Sequence, residues 1–189
     1  MKNTSKMGAK IDAQVVSNPS QKARFLASTH WEWEHYRDGK LIDTWGHDNV
    51  CTNEGLNALL NIMFNAGTQI TTWYVEIFET DTTPDGDTTY AVPVYTPSTA
   101  YDEETRPEYV DVTADAKVMT NTASKAVFTI SATKTIYGAA LVGGGSAATT
   151  KGNVAGGGTM YCAAKFSAAK SVVDDDVLSV TIQITAADA

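Results

Sequence analysis

The chain has few basic residues and lacks any long apolar run. Its 14 Lys and Arg face 22 Asp and Glu, which gives a net charge of −8 over 189 residues. Such an acidic chain does not attract a polyphosphate backbone, so we expect no direct binding of nucleic acid. The uninterrupted apolar stretches are far shorter than the ~20 residues that a membrane-spanning helix needs, so we expect no membrane insertion.

Cysteine is equally scarce, and motifs for chemistry are missing. Cys51 and Cys162 are too few for a disulfide framework and too far apart for a local metal motif, so we interpret both as small buried apolar residues. Neither a phosphate-binding glycine loop nor a nucleophile elbow occurs, so no cofactor is predicted. The N-terminus lacks an apolar segment followed by a small-residue cleavage site, and we expect folding in a cytoplasm.

The composition divides the chain into an arm and a body. Residues 1–22 mix Lys, Asn, Ser, Gln and Gly with isolated apolar residues. This mixture cannot bury enough surface to offset the entropy of ordering, so we predict a flexible N-terminal arm. Residues 23–189 are predicted to form one domain, since a chain of this length needs only one core.

A long β-hairpin is predicted over residues 23–51. Trp31 and Trp33 alternate with Glu32 and Glu34, the period of a strand with one buried face. The sequence Arg37-Asp38-Gly39-Lys40 is typical of a type I′ turn, in which both central residues take positive φ. Pairing outward from that turn sets Tyr36 opposite Leu41, Glu34 opposite Asp43, Glu32 opposite Trp45 and His30 opposite His47.

One helix is predicted, over about 53–65. Thr52 can cap it, Glu54 lies in the first turn where the helix dipole favours a carboxylate, and Gly67 follows its end. Its apolar residues recur with helical period and are expected to pack on the sheet: Leu56, Leu59, Leu60, Met63 and Phe64.

Runs rich in β-branched and aromatic residues predict the remaining strands. The first, 73–78, is apolar on both faces and is predicted to lie centrally in its sheet. Others are predicted at 127–132, 136–142, 160–166 and 177–185. The fold class is therefore mainly β, an antiparallel β-sandwich of which a jelly roll is one form, with one short helix and an extended arm.

Residues 80–113 are rich in Thr, Asp, Pro and Tyr, and their prolines interrupt any continuous strand or helix. Long loops are usually functional or ordered by a neighbour. Tyrosine provides rigid amphipathic area and is enriched where proteins meet proteins or sugars, so we predict a contact surface on this segment, for a protein in preference to a sugar. Its tyrosines are Tyr90, Tyr95, Tyr101 and Tyr109.

Three histidines on the predicted hairpin suggest a metal site. The uninterrupted register sets His30 opposite His47, but His35 points to the other face of the strand. Because the hairpin does not supply three convergent ligands, ordinary polar surface is the favoured interpretation.

Clusters of acids suggest a glycosidase or a cation site. An acid and a base could come from Glu32 with Glu34, from Glu76 with Glu79, or from the acids at 102–104. However, 22 acids on one small domain create such pairs without catalysis. The acids at 85–87 and 174–176 do not follow a calcium-loop pattern and fit solvated turns better. We therefore predict neither an enzyme nor a metal site.

Several strings, taken in order along the chain, resemble a family of small virion structural proteins of tailed bacteriophages. The likeness runs from about residue 45 to residue 185, while the polar N-terminal arm is longer than is usual in that family. The strings are Val50-Cys51-Thr52-Asn53-Glu54-Gly55-Leu56-Asn57, Thr72-Trp73-Tyr74-Val75, Tyr101-Asp102-Glu103-Glu104-Thr105-Arg106-Pro107 and Lys125-Ala126-Val127-Phe128-Thr129-Ile130.

This resemblance implies a capsid cement or decoration protein, with a tail or fibre module that binds a receptor or glycan as the alternative. The implied partners are the major capsid protein and further copies of the chain in a homotrimer, on the outer surface of a capsid assembled in the host cytoplasm. Residues 1–21 and 80–109 would make the contacts between subunits. The predicted interface residues are the four loop tyrosines together with Arg106.

Overall fold

The computed structural model describes residues 25–145 and 150–188, and the predicted arm at 1–22 lies outside this range. Eight strands and one helix occur in the described residues. Among those residues, no helix combines the length and hydropathy required to cross a membrane. The elements are β1 (Phe25–Arg37), β2 (Lys40–Cys51), α1 (Asn53–Phe64), β3 (Trp73–Phe78), β4 (Val118–Thr120), β5 (Ala126–Thr129), β6 (Lys134–Gly143), β7 (Thr159–Val172) and β8 (Val177–Asp188).

The strands form one antiparallel path that bends back on itself. Their order is β3-β6-β7-β2-β1-β8-β4, and β5 also pairs with β8. The bend lies at β2, which pairs with β1 over most of its length but with β7 only at Val50 and Cys51. Side chains from both parts form one apolar core, in which Trp33 and Leu178 lie with Phe166. The mainly β, sandwich-like fold predicted from the sequence is confirmed.

The first hairpin and its turn are confirmed, but its register is not. Asp38 and Gly39 have φ of 49° and 71°, as a type I′ turn requires, and Tyr36 lies opposite Leu41. A β-bulge then adds one residue to β2, so that His35 lies opposite Asp43 and Trp33 opposite Trp45.

The bulge has a physical reason. Residues directly opposite each other in an antiparallel pair lie on the same face, so an uninterrupted register would put Trp45 on the face of Glu32, away from Trp33. With the extra residue, the rings of Trp33 and Trp45 stack with centroids 5.7 Å apart and planes 1° from parallel. The predicted pairings of Glu34, Glu32 and His30 are therefore wrong by one residue.

Helix α1 begins where the sequence predicts. The Thr52 side chain accepts a hydrogen bond from the Gly55 backbone N–H, which satisfies one of the free donors of the first turn. Gly55 is the buried residue of the helix, and a Cβ there would lie 2.5 Å from the carbonyl oxygen of Tyr161. The helix therefore contacts β7 through a glycine, at a distance that a side chain would prevent.

Strand β3 lies at the end of the strand order and not at the predicted central position. Its residues are nevertheless buried on both faces from Val75 to Phe78. The free edge is covered by the loop at 80–113, whose backbone lies beside β3 with isolated bridges at Tyr74 and Phe78. A buried edge needs partners for its N–H and C=O groups, and here a proline-rich loop provides them in place of a strand.

Candidate interaction surface

The loop at 80–113 is ordered by the chain's own sheet. Val75 N–H donates to the Pro107 carbonyl at 2.8 Å, and Tyr109 N–H donates to the Trp73 carbonyl at 2.8 Å. Further along β3, Ser98 N–H donates to the Ile77 carbonyl at 2.8 Å. The loop therefore takes its shape from contacts with β3 of the same chain.

The predicted interface side chains also point inward. Tyr90, Tyr95, Tyr101, Arg106 and Tyr109 are between 1% and 5% exposed. A side chain with so little accessible surface cannot contact a partner of the folded chain, so the prediction that these five present a contact surface is corrected. The rings of the loop tyrosines instead form part of the core.

Each of these tyrosines has aromatic or polar neighbours from a different element. The ring of Tyr95 stacks on Phe78 with centroids 4.1 Å apart. Tyr101 meets Phe128 edge to face at 5.1 Å, and its carbonyl accepts a 2.6 Å hydrogen bond from Lys151 Nζ. Burial raises the pKa of the Tyr101 hydroxyl well above its usual value, so this group stays neutral.

Arg106 lies at the centre of the loop's attachment to the body. Its guanidinium forms an ion pair with the Glu76 carboxylate of β3, and both side chains are buried. Arg106 Nη2 donates to the Asn153 carbonyl at 2.7 Å, and the Tyr90 hydroxyl donates to the same oxygen at 2.8 Å. Burial raises the pKa of the Glu76 carboxyl, while the Arg106 charge opposes that shift. Together, Arg106, Glu76 and Tyr90 join β3, the loop and the segment before β7.

Glu54 adds a second attachment. One of its carboxylate oxygens accepts from the backbone N–H of Tyr90 at 2.9 Å and from that of Met160 at 2.6 Å. The sequence placed this carboxylate in the first helical turn but gave no sign of these two donors. The start of α1 is therefore hydrogen-bonded to the loop and to β7 by one side chain.

The loop presents valines and acids to solvent. Its exposed apolar residues are Val92, Val94, Val110 and Val112. The segment carries eight Asp and Glu, and its single basic residue is the buried Arg106. We call this the loop surface: the four valines with the exposed acids at 81–111. Its charge and its apolar groups both favour a partner that is apolar with a basic rim.

The helix presents a second apolar surface. Phe64 is 81% exposed and Met63 69%, and Leu60 lies on the same exposed side. The expectation that the whole apolar stripe packs on the sheet is therefore wrong for these three residues, which we call the helix patch. Scattered exposed apolar residues are ordinary, but a large aromatic and a methionine side by side on one helix end are typical of contact sites.

The three histidines do not converge on one site. His35 is buried and its Nε2 lies 2.8 Å from an Asp176 carboxylate oxygen, whereas His30 is half-exposed beside Asp48. His47 packs against Phe166 with ring centroids 5.0 Å apart. Across the described residues, no group of three or more His, Cys, Asp or Glu is arranged to hold a metal ion.

The acid pairs considered for catalysis have other partners. Glu76 pairs with Arg106, Glu79 with Lys134 at 2.9 Å, and Glu34 with Lys125 at 2.9 Å. Asp85 accepts hydrogen bonds from the backbone N–H groups of residues 87 and 88, as a turn-forming aspartate does.

The two cysteines are brought together by the sheet. Cys51 and Cys162 lie directly opposite each other on β2 and β7, and both are free thiols. Burial raises the pKa of the Cys162 thiol to about 12 and also raises that of Cys51. A thiol so far from ionisation is a poor nucleophile.

Comparison with known proteins does not assign the chain. No model of a known protein family matches it, and no curated protein matches it.

Proposed function

We propose that this chain is a virion structural protein of a tailed bacteriophage, a capsid cement or decoration protein that holds neighbouring capsid subunits together. The observation that carries the proposal is the helix patch, where Phe64 and Met63 stand exposed on an otherwise acidic, self-contained body. Exposure of such an apolar surface to water is unfavourable in free energy, and a permanent partner removes the surface from water.

The loop surface supports the same assignment. Four exposed valines lie on an acidic segment that the Arg106–Glu76 ion pair attaches to β3. A rigid contact surface loses little conformational entropy on binding, which favours a stable assembly over a transient one. The partner that fits is an apolar site with basic residues around it, which we assign to the major capsid protein and to adjacent copies of this chain in a homotrimer.

The proposed mechanism is mass action. A protein that binds the mature shell lattice but not its dissociated subunits stabilises the lattice by an amount set by affinity and occupancy. Contacts to two neighbouring subunits at once raise the effective affinity without any new type of contact. The acidic body suits the outer surface of the shell, because the packaged genome would repel it from the inside.

The alternative is a tail or fibre module that binds a receptor or glycan. Burial of the loop tyrosines weighs against a glycan platform on their rings, because sugar platforms need an exposed aromatic face. The same burial means that a cement protein would make its contacts through the helix patch and the loop surface.

The test is to label particles. Virions of the phage that encodes this chain, carrying a C-terminally tagged copy, would be imaged after gold labelling of the tag. We expect label over the whole shell. Label confined to the tail would overturn the cement assignment and favour the tail or fibre module, and absence of label from washed particles would overturn both.

A matched pair of variants tests the helix patch. Phe64→Glu should leave the chain folded, because the side chain is 81% exposed, but should lower its copy number on purified particles several-fold. Leu41→Glu is the control: this residue is also exposed but lies beside the turn of the first hairpin. Equal retention of the two variants would exclude the helix patch as the contact site.

A further inference from the structure

Strands β2 and β7 connect the two parts of the sheet through one short contact. Their pairing consists of Val50 opposite Ala163 and Cys51 opposite Cys162. Over most of their lengths, β2 pairs with β1 and β7 pairs with β6. Both cysteines of the chain therefore lie in the contact that holds the bend of the sheet together.

A neighbouring hydrogen bond gives the position of the cysteine pair in this ladder. The Thr52 N–H donates to the Tyr161 carbonyl at 3.0 Å. These two residues lie one step beyond Cys51 and Cys162 in the same register, so they form a hydrogen-bonded pair. Hydrogen-bonded and non-hydrogen-bonded pairs alternate along an antiparallel ladder. The two cysteines therefore occupy a non-hydrogen-bonded position.

This position has the spacing of a disulfide. In a non-hydrogen-bonded pair the Cα atoms lie about 4.5 Å apart, and both side chains project from the same face of the sheet. A disulfide joins Cα atoms that are about 4.4–6.8 Å apart. Rotation of the two side chains can therefore bring the sulfur atoms together while the register of the strands is kept.

The sulfur atoms have only weak contacts to give up. Cys51 Sγ lies 3.6 Å from the Ala27 carbonyl oxygen, and the Asn49 side-chain amide lies 3.6 Å from Cys162 Sγ. Thiols are weak donors and weak acceptors of hydrogen bonds. The loss of these two contacts does not hold the side chains in their present rotamers.

We propose that Cys51 and Cys162 form a cross-strand disulfide when the chain meets a low-molecular-weight disulfide of the glutathione type. The Cys51 thiolate attacks one sulfur of the oxidant, which forms a mixed disulfide and releases one glutathione. The Cys162 thiolate then attacks Cys51 Sγ and releases the second glutathione. The two protein thiols lose two electrons and two protons, and the oxidant is reduced to two thiols.

The surroundings of the two thiols suit a durable crosslink. Cys51 is partly exposed and reacts first, whereas Cys162 is fully buried and is reached only from the opposite strand. Burial raises the pKa of both thiols, so each step is slow near pH 7. A thiol of high pKa is also a poor leaving group, so the finished disulfide resists reduction.

The crosslink would fix the bend of the sheet. It would close a loop of roughly 110 residues, and a closed loop of that size removes many conformations of the unfolded chain. The oxidised chain is therefore expected to be more stable than the reduced chain. The proposal is independent of the proposed function, since it concerns the isolated chain and residues outside the helix patch and the loop surface.

The test is oxidation of the full-length, folded protein in mildly alkaline mixtures of reduced and oxidised glutathione, followed by acid quenching and mass spectrometry without reductant. We expect a monomer that has lost two hydrogens, in which one bond links the peptides of Cys51 and Cys162. A chain that stays reduced, a lasting glutathione adduct at Cys51, or a crosslink between two chains would overturn the proposal.

The same equilibrium measures how well the fold places the two thiols. The effective concentration of one thiol at the other should be about 100-fold higher in the native chain than in the chain unfolded by urea, since a disulfide that fits the fold stabilises it by that factor. A native value equal to or below the unfolded value would show that the fold excludes the bond.

Cys51→Ala and Cys162→Ala are the matched controls, because each keeps one thiol and cannot form the bond. Oxidation should raise the Tm of the native chain by roughly 5–15 °C and leave the Tm of each variant unchanged. Each chain is compared with its own reduced form, so a loss of stability from the substitution itself does not enter. An equal rise in Cys51→Ala would assign the effect to the oxidant and would contradict the proposal.

Discussion

The Arg37 guanidinium donates a hydrogen bond to each carboxylate oxygen of Asp176, Nε to Oδ1 and Nη2 to Oδ2, both at 2.7 Å. Arg37 ends β1 and Asp176 precedes β8, so the pair joins the turn of the first hairpin to the turn between the last two strands. The Val173 N–H also donates to this carboxylate at 2.8 Å. Asp176 is fully buried, in contrast to the solvated turn predicted for 174–176.

Asp176→Asn should destabilise the protein by ~2–3 kcal/mol at pH 7, because the charged hydrogen bonds to Arg37 and His35 are weakened together. Urea denaturation measures this change. Asp174→Asn is the matched control, since its exposed side chain lies in the same turn, and it should stay within ~0.5 kcal/mol of the native chain. Equal losses in the two variants would contradict the role of the carboxylate.

The same carboxylate predicts acid sensitivity. The Arg37 guanidinium holds the pKa of Asp176 well below its usual range. A carboxyl group whose pKa is lowered on folding stabilises the folded state. This contribution is complete above the carboxyl pKa of the unfolded chain, ~4, and is lost as the pH falls below that value. The native chain should therefore lose stability between pH 4 and pH 2 more steeply than Asp176→Asn does, as measured by urea denaturation at each pH.

His47 predicts a second and separate pH window. Burial lowers its pKa from 6.5 to about 4, and the nearby His30 charge acts in the same direction. The unfolded chain binds a proton near pH 6.5 that the folded chain does not accept until about pH 4, so stability falls by roughly 3 kcal/mol as the pH drops across that interval.

Compared with the native chain, His47→Leu should flatten the stability profile between pH 6.5 and pH 4, because leucine binds no proton in either state. Denaturant midpoints at half-unit pH steps measure both profiles. An unchanged slope in His47→Leu would mean that other groups cause the loss.

The buried ion pair of Arg106 and Glu76 predicts that the stability losses of substitutions at these two residues do not add. Arg106→Met leaves the Glu76 carboxylate buried without its counter-charge and should cost ~3–5 kcal/mol. The double variant Glu76→Gln/Arg106→Met should be more stable than Arg106→Met alone, because the uncompensated charge is gone.

Denaturation of the native chain, both single variants and the double variant gives the coupling energy. Lys134→Met is the control for loss of a half-exposed pair, with an expected cost below ~1 kcal/mol. Simple addition of the two single effects would show that the Arg106 and Glu76 charges do not interact.

Gly55→Ala should destabilise the protein by ~1–3 kcal/mol, although alanine is the better helix former. A methyl group there would lie 2.5 Å from the Tyr161 carbonyl oxygen and would push α1 away from β7. Thermal unfolding measures the loss, and Asn57→Ala on the exposed side of the same helix should be neutral or stabilising. A stabilised Gly55→Ala variant would contradict the close contact.

Features that depend on neighbours in sequence were predictable. The Asp38-Gly39 turn and the Thr52 cap each depend on the conformational preference of one or two residues, and both lie where the sequence indicates. The strands of the body also follow from their period and composition, because the pleat repeats every two residues wherever the strand lies in the sheet.

The candidate surface could not be predicted in the same way. Tyr90 and Tyr109 look like exposed loop residues, yet each occupies space next to strands far away in sequence. Only the assembled sheet shows that β3 needs a cover and that the tyrosines of the covering loop fill the core. The exposure of Val94 and Val110 follows from the same arrangement, because each is next to an inward-pointing tyrosine.

The sequence by itself determined the mainly β class, the hairpin turn, the start of the helix and the acidic character of the body, since these depend on local preference and on composition. The tertiary structure alone decided the bulge that brings Trp45 onto Trp33, the pairing of Cys51 opposite Cys162, the burial of Arg106 and the exposure of Phe64. The physical reason is that burial and register are set by contacts between distant segments, and a local pattern is compatible with more than one such set.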